Sequence, residues 1–216
     1  KELLALAEVG KKAEGDCMNI NTAMPCRITN IAAQNVLLDW FATLSERYEY
    51  QDGKRINGRA WRAELKRMDT PYDVMMCEGY DALRQQLLAH MTLRPLEEMA
   101  LALFASVAAH IKSHNPKRSF AAQMGEKLNG STPCVSTLRF QRLQKAIDPE
   151  TFCQQLIRAV KVRGKDGVNI LSLADSIFLW MEEWQRRENH QPETSHPFER
   201  NRIRWANEYL SASHSK

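Results

Sequence analysis

The sequence has no apolar run fit for a bilayer, no paired cysteine spacing and no phosphate-cradling glycine loop. The longest nearly apolar stretch, Met99 to Ile111, falls short of the ~20 residues that a membrane-spanning helix needs, so no membrane partner is expected. Five cysteines, at 17, 26, 77, 134 and 153, form an odd set with no close pair. Such a set reads as reduced thiols of a cytoplasmic protein, with Cys134 and Cys153 as buried free thiols. The motifs GxxxxGKS/T, GxGxxG and GxSxG are absent, which removes the usual nucleotide cradles and the nucleophile elbow. Sustained period-two alternation is missing too, and this argues against a half-buried sheet. The acidic pairs Glu97-Glu98 and Glu182-Glu183 are consecutive, so on a helix they diverge instead of converging on a substrate. His110 and His114 stand four apart, a spacing that metals accept, but no third ligand lies near and no glutamate follows His110 in the metalloprotease pattern. Two solvated histidines at a helix end are the expectation. Neither an enzyme nor a cofactor site is indicated.

What the sequence does have is helical period over most of its 216 residues, with 44% hydrophobic and 26% charged residues. A chain of that size buries enough surface to fold without staples. Val36, Trp40 and Leu44 share one face. Thr70-Pro71 opens a helix predicted to run to His90, the threonine as cap and the proline in the first turn. Pro95-Leu96-Glu97-Glu98 opens another, with its acids at the positive end of the dipole. Its core stripe is Leu96, Met99, Leu103, Phe104, Val107 and Ile111. Further helices are predicted from Ser119 to Asn129-Gly130, from Asp148 to Val160, from Ile170 to Arg187 and from Glu199 to Leu210. The fold class is all-α, a compact helical bundle of residues 35–216, with 35–113 and 117–216 as its division if it forms two small lobes. Residues 1–34 break any long period at Gly10, Gly15 and Asn19-Ile20-Asn21, and read as a poorly packed N-terminal extension.

Net charge is only +4, but it is unevenly spread. Residues 1–53 hold five bases against eight acids, whereas residues 54–67 hold six bases against one acid and residues 135–165 seven against two. At about 100° per residue, Arg55, Arg59, Arg62 and Lys66 fall on one side of a helix and Trp61, Leu65 and Met68 on the other. If the helix stops at Gly58, Arg55 leaves the row. Like charges four apart repel, so a face of one sign suits a polyanion that relieves the cost. In the second segment Phe140, Leu143 and Ile147 pack while Arg142 and Lys145 face away, with Arg139 at the boundary. Farther on, Phe152, Leu156 and Val160 pack while Arg158, Lys161 and Lys165 look outward. No exposed aromatics interleave with these cations, so backbone contact is indicated and base reading is not.

Three strings carry a resemblance. The run Gly58-Arg59-Ala60-Trp61-Arg62-Ala63-Glu64-Leu65-Lys66-Arg67 contains an R-A-x-L-K/R-R core followed by Asp69-Thr70-Pro71. Ser136 to Leu143 reads S-x-L-R-F-x-R-L, and a later helix carries Trp180-Met181-Glu182-Glu183-Trp184. In this order they resemble the CasB family, the small subunit of the type I-E CRISPR surveillance complex Cascade, over about Val36 to Leu210. The resemblance implies an all-helical, non-catalytic protein of antiviral defence. It implies contacts to guide RNA, to target and displaced (non-target) DNA strands in the R-loop, and to other Cascade subunits, the large and backbone subunits among them. It also implies a second copy of the chain lying head to tail. Carried over by motif, nucleic-acid binding falls to Arg62, Lys66 and Arg67, with lysine at 66 where arginine is common in the family, and to Arg139 and Arg142. The helical wheel adds Arg59, Lys145, Arg158, Lys161 and Arg163. Two other readings remain open from the residues alone: a helical adaptor whose basic faces meet acidic proteins, and a helix-turn-helix regulator. The latter lacks a short helix pair with base-reading residues on its second helix.

Overall fold

The computed structural model describes residues 27–47, 49–51, 54–128 and 130–214. Helix α1 spans Ile31–Thr43 and starts where the Asn30 side chain accepts hydrogen bonds from the amides of Ala32 and Ala33, at 2.8 and 3.4 Å. The segment leading into it is tied down. A carboxylate oxygen of Asp175 accepts the amides of Arg27 (2.6 Å) and Ile28 (3.0 Å), and Arg27 pairs with Glu182 at 2.6 Å. Ile28 and Ala33 are core residues. The poorly packed extension therefore does not reach residue 34: residues 27–34 belong to the fold, and 1–26, with Cys17 and Cys26, lie outside the described residues.

Two short strands follow, β1 (Glu49–Gln51) and β2 (Lys54–Ile56), paired antiparallel with Glu49 opposite Ile56. Helix α2 is Gly58–Leu65, and its cap Asn57 accepts from the amide of Ala60 at 3.1 Å. Gly58 is there because the helix start presses on the end of α1: a Cβ would stand 1.7 Å from the carbonyl oxygen of Thr43. Arg55 consequently lies in β2 and leaves the helical row.

The helix expected from Thr70 to His90 is interrupted. Thr70 and Asp73 bond reciprocally, amide to carboxylate at 3.0 Å and amide to hydroxyl at 3.3 Å, and start a 3-10 turn, Asp73–Met76. Cys77 is extended (φ −82°, ψ 139°), and α3 then runs Glu78–Leu88. Helix α4, Pro95–Ala108, begins as expected, with the Glu97 carboxylate accepting the Arg94 amide at 2.7 Å. The short α5 (Phe120–Gly125) ends before Asn129-Gly130; Asn129 lies outside the described residues. Helices α6 (Thr137–Gln144), α7 (Pro149–Arg163) and α8 (Ile170–Glu188) follow, then a 3-10 turn at Pro197–Glu199 and α9 (Asn201–His214).

The fold is all-α apart from the small hairpin. Helices α4 and α8 form its centre, being buried all round over Ala100–Ala109 and Leu173–Met181. Helix α4 packs on α7 and α8, and α1 packs on α3 and α8. One core thus runs through both halves, and the division at 113–117 does not separate two cores. Around Trp205 the aromatics close the C-terminal end: Phe152 stacks on Trp180 at 4.0 Å, Phe140 on Tyr209 at 4.2 Å, and the Trp205 indole donates to Ser176 Oγ at 3.0 Å. Ile147, expected to pack, is 75% exposed, because α6 ends at Gln144 and the chain has left the helix before it. Among the described residues no helix is long and apolar enough to cross a membrane.

Candidate nucleic-acid interface

Helix α2 turns Trp61 and Leu65 inward and leaves Arg59 exposed, and Lys66 and Arg67, just past its end, are exposed too. Arg59 Nε donates to the Ser45 carbonyl at 2.9 Å, which fixes its root without neutralising its charge. Arg62, between them, is half-buried. Its Nη1 donates to the carbonyl of Ile111 at 2.8 Å, its Nη2 to Ser45 Oγ at 3.4 Å, and its guanidinium lies 5.5 Å from the centre of the Phe41 ring. Its Nε is buried and makes no hydrogen bond among the described residues. Burial holds its pKa below the ordinary arginine value. Arg62 is thus a clasp between α2 and the turn leaving α4, as well as a source of positive charge beneath Lys66.

The row on α7 meets the row on α2. Lys66 is held below the usual lysine range, first by partial burial, then by the charges of Arg62, Lys161 and Lys112. Lys161 comes from α7 and Lys112 from the turn after α4, so Lys66 feels positive charge from three elements. Among the described residues no carboxylate pairs with Lys66, Lys112 or Lys161. An anion brought to cations that lack acidic partners gains from their charge.

His110 sits in the same place. It is half-buried, and its pKa falls from 6.5 to about 4, through burial first and then through Lys161 and Lys66. His114 is also half-buried, and its ring Nδ1 accepts the Ile170 amide at 3.2 Å. Burial lowers its pKa, against a smaller raising effect of a backbone hydrogen bond. The expectation of two solvated histidines is therefore corrected: both are packed and neutral at pH 7, and each has a distinct setting. No group of three metal-ligating side chains occurs among the described residues.

The other expected residues divide between surface and interior. Arg139, Arg142, Lys145 and Arg158 lie at the surface, and none is paired with an acid among the described residues. Lys145 lines a cavity of about 540 Å³ with Arg186, Arg187, Arg200 and Arg202 above Leu143 and Ile147, so it belongs to a different group from Lys161. Arg163 is a correction. Only 1% of its side chain is exposed; Nε donates to the Gly167 carbonyl at 3.0 Å, and Nη1 to the Gln123 carbonyl at 2.8 Å and to Glu126 at 2.6 Å. It is a strut for the loop after α7 and is out of reach of a ligand.

Sequence reasoning missed Lys112 and the C-terminal arginines at the cavity. Lys112 lies just past a helix end, where a wheel gives no direction. The arginines 186 and 187 sit in the last turn of α8, where cations complement the helix dipole in any protein, so they gave no signal. The thiols agree with expectation in part: Cys153 is buried and raised to about 11, by burial first, while Cys134 is half-buried.

A family model described as CRISPR-associated protein Cse2 matches residues 61–210. The match takes in Arg62 through Arg163, leaves Arg59 just outside, and spans more than half of the chain. No curated protein and no solved structure matches the chain.

Proposed function

The chain belongs to the Cse2 family of CRISPR-associated proteins, subunits of type I-E Cascade in CRISPR defence, and from that premise we propose that it holds nucleic acid by its phosphates within the complex. Family membership makes it a structural subunit, associated with other Cascade subunits, and not a known enzyme. The finer reading concerns what it touches. Its exposed cations are suited to guide RNA, to the target strand and to the displaced strand, none of which it needs to read. Base pairing with the guide supplies sequence, and the exchange of duplexes in R-loop formation is close to balanced, so modest backbone contacts tip it. The large and backbone subunits, and a second copy lying head to tail, are the proposed protein neighbours, in the cytoplasm.

The observation that carries this reading is that Lys66, which follows the clasp residue Arg62, Lys112, which follows the Ile111 carbonyl that Arg62 binds, and Lys161 are all exposed and have no carboxylate partner among the described residues. The test is to change Lys66, Arg139, Arg142 and Lys161 together to alanine and measure single-strand binding across a salt series. Exposed sites of this kind usually move stability by no more than about 0.5 kcal/mol each, so the fold should survive. Binding to strands of any sequence should weaken, and the slope of log affinity against log salt should flatten by up to ~0.7 for each phosphate no longer held. An unchanged slope would transfer the function to protein contacts, as a helical adaptor requires.

A further inference from the structure

The cavity at the C-terminal end holds cations, a carboxylate and a buried acceptor, and phosphate contact at the exposed lysines of α2 and α7 uses none of them. We propose that this cavity seats one unstacked nucleotide of a single strand, with guanine favoured. The proposal rests on the phosphate reading for the strand that delivers the nucleotide, and adds one place where a base is told apart.

The cavity measures about 540 Å³ and is lined by the turn after α6, the last turns of α8 and the start of α9. Small-molecule sites are of this size. Leu143 and the exposed Ile147 give it an apolar side. Its cations are not equivalent. Arg186 pairs with Glu182 at 2.7 Å, and Arg200 pairs with Glu193 and donates to the Thr194 carbonyl at 3.0 Å. Lys145, Arg187 and Arg202 are exposed, and none has an acid partner among the described residues. The Arg187 guanidinium lies 5.6 Å from the centre of the Trp180 ring, and a guanidinium held flat is a surface on which bases stack.

The same cavity carries acceptors. Glu183 accepts the Asn201 amide through Oε1 at 2.7 Å, and no hydrogen bond reaches its Oε2 among the described residues. Asn201 is 2% exposed, and its Oδ1 is buried with no hydrogen bond among the described residues. A buried acceptor without a donor costs stability, and the cavity that Asn201 lines is where a donor can enter. Burial also pushes the Glu183 carboxyl up, in keeping with a carboxylate that has few donors around it.

These groups select a ligand with an anion at one end and N–H donors at the other. A nucleotide has that form: its phosphate suits Lys145, Arg187 and Arg202, and its base edge suits Glu183 and Asn201. An acidic peptide meets the cations but sets its carboxylates against Glu183. Among the common bases guanine carries a ring N–H beside an amino group, adjacent donors for the two acceptors. Thymine has a lone N–H between carbonyls, and adenine and cytosine set their amino group beside a ring acceptor.

The experiment uses the full chain, a labelled oligothymidylate and the same strand with one central guanine, at fixed ionic strength. The guanine strand should bind about tenfold tighter, the discrimination expected of a paired donor contact. In Glu183→Gln, which keeps an oxygen for the Asn201 amide, that advantage should fall below about twofold. Equal affinity for the two strands in wild type, with the salt slope intact, would overturn the nucleotide seat and leave the phosphate reading standing. Should the glutamine variant fail to fold, competition on wild type decides: guanosine monophosphate should remove the advantage of the guanine strand, and cytidine monophosphate at the same concentration should not. Equal competition by the two would sink the guanine seat. If neither strand binds, the phosphate reading fails, and the seat is judged by NMR alone. Guanosine monophosphate should then shift the Asn201 side-chain amide signals. Signals that move with an acidic peptide and not with the nucleotide would make the cavity a protein-docking site and overturn the proposal.

Discussion

Arg62 and Arg163 began as members of the same kind of basic row and have different fates. Arg163 meets two carbonyls and a carboxylate, and no part of its charge is left for a partner. Arg62 meets one carbonyl and one hydroxyl and no acid, and the exposed Lys66 follows it at the end of α2. The difference lies in the acceptors that the fold brings to each. Where acceptors are supplied from within, a buried cation is a strut; where an acid is withheld, its charge is left over for the phosphate contact proposed above.

The largest effect that can break this contrast is at the strut. Arg163→Met leaves the Gln123 and Gly167 carbonyls and the Glu126 carboxylate short of a donor, and removing one partner of a buried pair costs on the order of 3 kcal/mol. Urea denaturation should show that loss. Single-strand binding by the folded fraction should be unchanged, and a change in the salt slope would make Arg163 a ligand contact after all.

A second effect, of similar size, concerns the other end of the chain. A chain beginning at Asn35 loses Ile28, which is 3% exposed, and the Asn30 cap. Relative to one beginning at Arg27 it should be less stable by at least about 3 kcal/mol, the burial of Ile28 and the helix cap alone, with the buried Ala33 and the first turn of α1 lost besides. It also leaves Asp175 without the two amides it accepts. Equal midpoints of the two thermal transitions would show that residues 27–34 contribute nothing to the core.

Much of this was legible. The helical period gave the elements, and on α2 the wheel put Trp61 and Leu65 inward and Lys66 outward, as found. What a wheel cannot supply is the neighbour. It gives the direction of Arg62 but not the Ile111 carbonyl that the turn after α4 brings to it. Arg163 did carry a signal: Phe152, Leu156, Val160 and Arg163 follow one another at steps of four, four and three, the spacing of the packing stripe. Reading it as an outward cation set charge above position. The 3-10 interruption at Cys77 has no period to betray it, and strands of three residues are too short to alternate visibly.

A smaller effect sharpens the comparison within α2. Arg62→Ala should cost about 1–2 kcal/mol, because the Ile111 carbonyl loses its donor, and should also weaken nucleic-acid binding. Lys66→Ala should move stability by less than about 0.5 kcal/mol and flatten the salt slope by up to ~0.7. The two variants should therefore separate in a plot of stability against affinity. If Lys66→Ala destabilises as much as Arg62→Ala, the division between clasp and contact fails.

The smallest effect is in acid stability, and its direction is fixed by burial first. His110 titrates at about 4 in the folded chain, below its unfolded value of 6.5. Between those values the unfolded chain binds the proton that the folded chain refuses, so stability is full above pH 6.5 and declines as the pH falls towards 4. His114, also lowered by burial, adds to the decline in the same direction. His110→Gln should therefore show a shallower loss of stability between pH 6.5 and pH 4 than wild type, with the His114 share remaining. Thermal denaturation across that range, on wild type and variant, measures it. A wild-type slope equal to that of His110→Gln would show that neither burial nor the charges of Lys161 and Lys66 hold this ring below its ordinary value.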